Sequence, residues 1–268
     1  MLLALIGLHV GVTYASAQSV PPSHAKVQLV AEGNAVTAGQ TAWVGVLFEL
    51  EPGWHIYWVN PGDAGDPPRM QWELPLGFRV GDVRWPVPVR LGTATLVDYG
   101  YEGRVLLAAP LQVPADYNAG APLRLAADVR YVICREVCIP ARARTSASLP
   151  YNDAPGALAG RRDLFRTTRQ RWPKPMPRGW QVNATDSGAQ FVLSMQTGSR
   201  EAQAAFFPRD ADQIDNAAAQ AVTPTERGVQ LTLRKSDPMM KPISTLRGLV
   251  VLAPDRAFEI AAPVSPRR

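Results

Sequence analysis

Cysteine is nearly absent from this 268-residue chain: there are two, Cys134 and Cys138, four residues apart. Histidine is scarce as well, with three copies. No His–Asp or His–Asn set stands ready to serve a cysteine, which argues against a cysteine hydrolase. The chain has no phosphate loop, no dinucleotide fingerprint and no Ser–His–Asp arrangement, so no motif asks for a cofactor. Its basic excess is mild, net +5, and lacks aromatic-interleaved basic repeats, which argues against nucleic acid as a partner. Asp63 and Asp66 do not fall into calcium-loop spacing. No later stretch is long and apolar enough to cross a bilayer.

What the chain does have begins at its start. Residues 2–13 are apolar, and Ala15-Ser16-Ala17 has the small-x-small form of a signal-peptidase site. Residues 1–17 therefore read as a secretory signal, cut before Gln18. The apolar run is too short for the ~20 residues of a spanning helix. The mature chain is expected in an oxidising compartment, a bacterial periplasm.

In such a compartment a close cysteine pair points to a disulfide. An extended strand would hold the two Cα atoms roughly 13 Å apart, whereas a disulfide needs about 4.4–6.8 Å. The chain must therefore turn within Arg135-Glu136-Val137 if the bond forms. In the chain-entropy model so small a ring gains little stability. A bond that adds little is easily reduced and suits use in exchange. The competing readings are a staple pinning a hairpin, a buried thiol pair, or a metal site.

Proline (25) and glycine (21) punctuate the chain every few residues, with short strand-like runs between them. Leu123, Leu125, Ala127, Val129, Tyr131 and Ile133 alternate with Arg124, Ala126, Asp128, Arg130 and Val132, so one face enters a core and the other meets solvent. This strand leads into Cys134. Residues 141–149 alternate in the same way, so the cysteines sit at the bend of a strand pair, and Pro140 suits an edge strand. Many short strands with frequent turns predict an all-β chain of two β-sandwich domains. The first spans 26–150 and the second 179–265. Residues 151–178 read as a linker carrying a short, solvated helix over 157–171 and a stiff Pro173-Lys-Pro-Met-Pro177 run. The second sandwich has neither Cys nor His and reads as scaffold or docking surface. Trp54, Trp58, Trp72 and Trp85 read as core, and His55 in Gly53-Trp-His-Ile-Tyr-Trp58 as a half-buried strand residue rather than a base.

Four motifs occur in order: Gly53-Trp-His-Ile-Tyr-Trp-Val-Asn-Pro-Gly-Asp-Ala-Gly65, Trp85-Pro-Val-Pro88, Asp98-Tyr-Gly-Tyr-Glu-Gly103 and Val132-Ile-Cys-Arg-Glu-Val-Cys-Ile-Pro140. Together they resemble the periplasmic N-terminal region of DsbD-type thiol:disulfide interchange proteins (protein-disulfide reductases), especially the ScsB-like branch. The resemblance implies an immunoglobulin-like module that relays electrons. It would take them from a membrane electron-transfer partner and hand them to oxidised thioredoxin-like or disulfide-isomerase proteins, or to proteins of cytochrome c maturation. It implies that Cys134 and Cys138 are the dithiol, with Cys138 forming the mixed disulfide and Cys134 resolving it. It also places Asp98-Tyr-Gly-Tyr-Glu-Gly103 where the family has a capping loop. On that footing Tyr99 or Tyr101 would shield the sulfurs, and Asp98 or Glu102 would raise the thiol pKa. Arg135 would favour a thiolate and Glu136 oppose it.

Two other functions stand beside this one. A non-catalytic protein-binding module with a structural disulfide would show a potential well below about −300 mV. A Cu(I)-handling protein would use the thiols with Met239-Met240 or His55, and metal titration of the reduced protein tests it.

Overall fold

The computed structural model describes residues 24–92, 95–118, 122–151, 156–237 and 242–266. The expected signal segment and Met239-Met240 lie outside the described residues. The first part of the chain forms strands β1 (Ala25–Ala31), β2 (Thr41–Leu50), β3 (His55–Gly62), β4 (Arg69–Glu73), β5 (Arg79–Val80), β6 (Val89–Gly92), β7 (Val97–Glu102), β8 (Arg104–Gln112), β9 (Leu123–Cys134) and β10 (Cys138–Leu149). Helix α1 (Ala157–Gln170) follows. Then come β11 (Lys174–Pro175), β12 (Gln181–Asp186), β13 (Gln190–Gln196), β14 (Ala205–Pro208), β15 (Ala221–Thr225), β16 (Gly228–Arg234), β17 (Thr245–Ala253) and β18 (Arg256–Pro266). The fold is all-β, as the turn spacing and alternation predict, and immunoglobulin-like, as the resemblance implies.

The first sandwich packs the sheet β1-β2-β8-β5 against β10-β9-β3-β7-β6, with β4 also on β9. Val46, Phe48 and Leu107 from one sheet meet Ile56, Val129, Tyr131 and Ile133 from the other. Phe48 meets Tyr131 edge-on at 5.3 Å, the favoured geometry for two rings. The alternation of β9 holds as read: Leu123, Leu125, Ala127, Val129, Tyr131 and Ile133 are all buried. Asp128 is the exception on the outer face. It is buried because the Arg142 side chain closes over it from β10 and forms a charge-assisted pair.

In the second sandwich β18 joins two sheets. Residues up to Pro263 run antiparallel to β17, and Val264–Pro266 run parallel to β12. Phe191, Leu193, Phe206, Leu231 and Val250 fill its core. The two sandwiches share apolar contact, since Phe207 and Leu249 pack into the first core. The Phe207 ring meets that of Tyr99 at 5.4 Å.

The helix departs from expectation. It ends at Gln170, and it is not a solvated connector. Phe165 is fully buried and packs with Leu47, Leu106 and Ala108 on the outer face of the β2–β8 sheet. Arg169 makes a two-pronged pair with Glu32 at 2.7 and 2.5 Å and lies over the Trp43 ring. The basic residues suggested a wet face, yet Leu164, Phe165 and Thr168 form a narrow apolar stripe that decides the docking. Phe165→Ala should destabilise the protein by about 3 kcal/mol in denaturant titration. A loss below about 1 kcal/mol would show that the helix is not held by this side chain.

Candidate functional site

Strand pairing builds the site. β9 and β10 are in register with Cys134 opposite Cys138. Arg135-Glu136-Val137 form the turn, and the Arg135 N–H donates to the Val137 carbonyl at 3.2 Å. The sulfurs are joined, with the Cα atoms 4.1 Å apart. The two sulfurs differ in access: Cys134 is 2% exposed, while Cys138 is open to solvent. A visiting thiolate therefore meets the Cys138 sulfur first.

On the inner side of Cys134 lies β3. His55 stands opposite Cys134 on one side and opposite Glu102 on the other. Side chains two apart on a strand share a face, so Tyr57 follows His55 towards the sulfurs. Its hydroxyl donates to Cys134 Sγ at 2.7 Å and lies 3.5 Å from Cys138 Sγ. The Tyr57 ring is fully buried, partly under the loop after β3. Gly65 sits directly on it: a Cβ there would come within 2.1 Å of the ring. Its φ of 76° is also a conformation that suits glycine.

Asp98 ties that loop down. Its Oδ1 accepts from the Ala64 N–H at 3.1 Å, and its Oδ2 lies 3.7 Å from His55 Nε2. His55 is buried, its ring meets Tyr57 edge-on at 5.3 Å, and its Nε2 has no hydrogen-bond partner among the described residues. Burial, and then the Asp98 charge, push the Tyr57 phenol far above its ordinary pKa. Tyr57 therefore stays an O–H donor at any physiological pH.

The predicted tuning residues separate into two groups. Asp98 joins the site through Tyr57 and His55. Arg135 and Glu136 are exposed on the turn and lie 3.6 Å from each other, and Arg135 rests against Gly53. Glu102 is exposed at the end of β7. Tyr99 and Tyr101 are buried, and their hydroxyls donate to Asn216 Oδ1 at 2.9 Å and to the Pro86 carbonyl at 2.7 Å. Strand parity explains this. Gly100 stands opposite Tyr57 in the β3–β7 register, so Tyr99 and Tyr101 turn to the opposite face, into the core. The hydroxyl on the sulfurs belongs to Tyr57, to which the sequence reading gave no role. The usable signal was its two-residue spacing from His55 in a run of alternating aromatics. His55 is more deeply buried than expected. Among the described residues no three His, Cys, Asp or Glu side chains gather in a metal-holding group, and no helix is long and apolar enough to cross a membrane.

Comparison with known proteins bears on the segment that carries the disulfide. Residues 26–150 match the family described as thiol:disulfide interchange protein DsbD, N-terminal. The likeness drawn from the four motifs therefore holds for that segment. No curated protein matches the chain. Among solved structures, the N-terminal periplasmic domain of ScsB from Proteus mirabilis superposes with a TM-score of 0.69 and 20% identity, over 92% of this chain and 96% of that one. At that identity it shows the fold. The periplasmic chaperone SfaE aligns over 89% of this chain and 100% of its own at 8% identity, but its TM-score of 0.21 supports no structural likeness.

Two predictions follow from the phenols. Reduction at Cys138 expels Cys134 as a thiolate, and a hydrogen bond to a charged group is worth about 1.5–3 kcal/mol. Tyr57→Phe should therefore slow reduction by dithiothreitol about tenfold or more. An unchanged rate would show that the hydroxyl does not serve the leaving sulfur. In addition, burial raises the phenols of Tyr57, Tyr99, Tyr101 and Tyr131. Above the ordinary tyrosine pKa of about 10 the unfolded chain gives up these protons and the folded one keeps them. The folded state then binds more protons, so stability falls as pH rises. Urea titrations at about pH 8 and pH 11 should give a clearly lower unfolding free energy at the higher pH, and equal values would contradict the sign.

Proposed function

We propose that this chain is a periplasmic thiol–disulfide exchange module, a thiol:disulfide oxidoreductase that passes electrons to oxidised proteins through Cys134 and Cys138. The observation that carries the reading is the asymmetry of the pair: one sulfur open to solvent, the other buried under a tyrosine hydroxyl. A structural staple has no use for either feature. The family match over 26–150 supports the same class of chemistry.

The cycle needs only the chain's own groups. In the dithiol form the Cys138 thiolate attacks one sulfur of the partner's disulfide, and the partner's other sulfur leaves as a thiolate and takes a proton from water. A mixed disulfide now joins Cys138 to the partner. Cys134, as a thiolate, attacks Cys138 Sγ, the intramolecular bond forms, and the partner's second thiol is released. Two electrons have passed to the partner. In recharging, a donor thiolate attacks the exposed Cys138 Sγ and expels Cys134, whose developing charge receives the Tyr57 hydrogen bond. Partners of this chemistry are thioredoxin-like or disulfide-isomerase proteins, and proteins of cytochrome c maturation, with a membrane electron-transfer protein as donor. The division into signal (1–17), redox sandwich (26–150), linker (151–178) and second sandwich (179–265) belongs to the same reading.

Single substitutions test it. Mixed with an activated small disulfide, reduced Cys134→Ala should form a stable adduct on Cys138, whereas Cys138→Ala should react about tenfold more slowly or worse, because its thiol is buried. The wild-type pair should equilibrate with glutathione at a potential above about −300 mV. A lower potential, with both variants equally inert, would leave a staple.

A further inference from the structure

The face that carries the disulfide also carries a row of arginines. Side chains two apart on a strand point the same way. Cys138, Pro140 and Arg142 on β10 therefore share the outer face with Cys134, Val132 and Arg130 on β9, pair by pair in register. On the other side of β9, Arg130 stands opposite Arg69 of β4. Arg69, Arg130 and Arg142 thus form one line across three adjacent strands. The line lies two register steps from the sulfurs, roughly 13 Å along the strand. Only the Val132–Pro140 pair intervenes.

Like charges set directly opposite one another across strands are unfavourable, so this row is not there for stability. Its compensation is partial. Asp128 is buried and taken by Arg142, and that guanidinium holds the Asp128 carboxyl below the usual range. Asp66 lies 3.7 Å from Arg69, with both side chains mostly exposed. In the next row Arg144 is paired with Glu73 at 2.7 Å. Arg130 is exposed and makes no ion pair among the described residues. The three arginines, with Asp66, Pro67 and Pro140, border a shallow depression of about 490 Å³. At the opposite end of the face Val137 is 64% exposed at the tip of the cysteine turn.

We infer that this face is the docking track for the oxidised partner, and that it selects a partner segment bearing carboxylates about four residues from the reactive cysteine. This rests on the exchange function proposed above and specifies its partner. The partner's cysteine meets Cys138, its chain runs along the β9–β10 face over Val132 and Pro140, and its carboxylates reach Arg130 and its neighbours. Charge at such a rim acts on encounter rate and is weakened by salt.

The test uses the reduced full chain and two synthetic peptides. Each has one cysteine activated as a thionitrobenzoate mixed disulfide, and about four positions along either a run of Glu or a run of Lys. The leaving group is common to both, so its own charge cancels in the ratio of rates. Attack by Cys138 on the peptide sulfur releases coloured thionitrobenzoate. Cys134 then displaces the peptide thiol, leaving the protein oxidised and the peptide reduced. At low ionic strength the Glu peptide should react about tenfold faster than the Lys peptide, and in about 1 M salt the two should converge. Arg130→Gln should narrow the gap and Arg130→Glu should reverse it; among the described residues Arg130 makes no hydrogen bond to the sulfurs or to the Asp128–Arg142 pair, on which it acts through its charge alone. If both peptides react at the same rate, the track is refuted while the exchange function stands. If neither reacts, the exchange function fails and the track with it. A preference that persists in Arg130→Glu would place the selecting charge elsewhere and overturn the assignment.

Discussion

Everything at the sulfur site depends on the register of β9. A strand's side chains alternate with a period of two, so a slip of one residue sends every side chain to the other face. The register here sets Cys134 against Cys138 on one side and against His55 on the other. Five apolar side chains from Leu125 to Ile133 lock it, because a slip would bring Arg124, Asp128 and Arg130 into the core. Burying unpaired charges in this way costs far more than any local rearrangement could return. The chemistry is therefore placed by core packing, and the cysteines inherit their position from residues that take no part in exchange.

The same register makes the two sulfurs unequal. β9 lies between β3 and β10, whereas β10 is the edge of its sheet. A cysteine at the end of an interior strand is covered by its neighbours, and one at the start of an edge strand is not. Buried Cys134 beside exposed Cys138 follows from topology alone. Tyr57 adds a directed donor to the covered sulfur, and burial keeps that donor protonated.

Much of this was legible in the sequence because it is local. Alternation over 123–133 gave the inward face, and the three-residue gap gave the turn at Arg135-Glu136-Val137. Pro140 gave the edge. What could not be read depends on contacts far apart in the chain. Tyr57 lies 77 residues from Cys134, and only its parity with His55 hinted at its direction. Tyr99 and Tyr101 have the right composition for a cover. Their facing was fixed by which β7 residue stands opposite Tyr57, a fact that no local pattern contains. The helix was misjudged for a similar reason. Its arginines dominate the composition, but one buried Phe165 outweighs them, since Arg side chains at a surface are solvated wherever the helix lies.

The second sandwich was expected to be chemically silent, and it does lack Cys and His. It nevertheless reaches the surroundings of the disulfide through polar groups. Asn216 accepts from the Tyr99 hydroxyl, donates to Asp63 at 2.7 Å, and its carbonyl accepts from Arg90. Asp63 in turn accepts from the Val97 N–H at 2.7 Å. Asn60 donates to the Pro208 carbonyl at 2.8 Å. The end of β3 from Asn60 and the loop that follows it to Gly65, where the chain lies on the Tyr57 ring, are thus held from both sandwiches at once. A loop without regular structure is ordinarily the softest part of a fold. Here the Ala64 N–H is tied to Asp98 on one side, and the Asn60 and Asp63 side chains are tied to the 208–216 segment on the other. The Tyr57 hydroxyl can stay on the sulfurs only while that loop keeps the ring in place, so the geometry around the disulfide extends into a domain that holds neither cysteine.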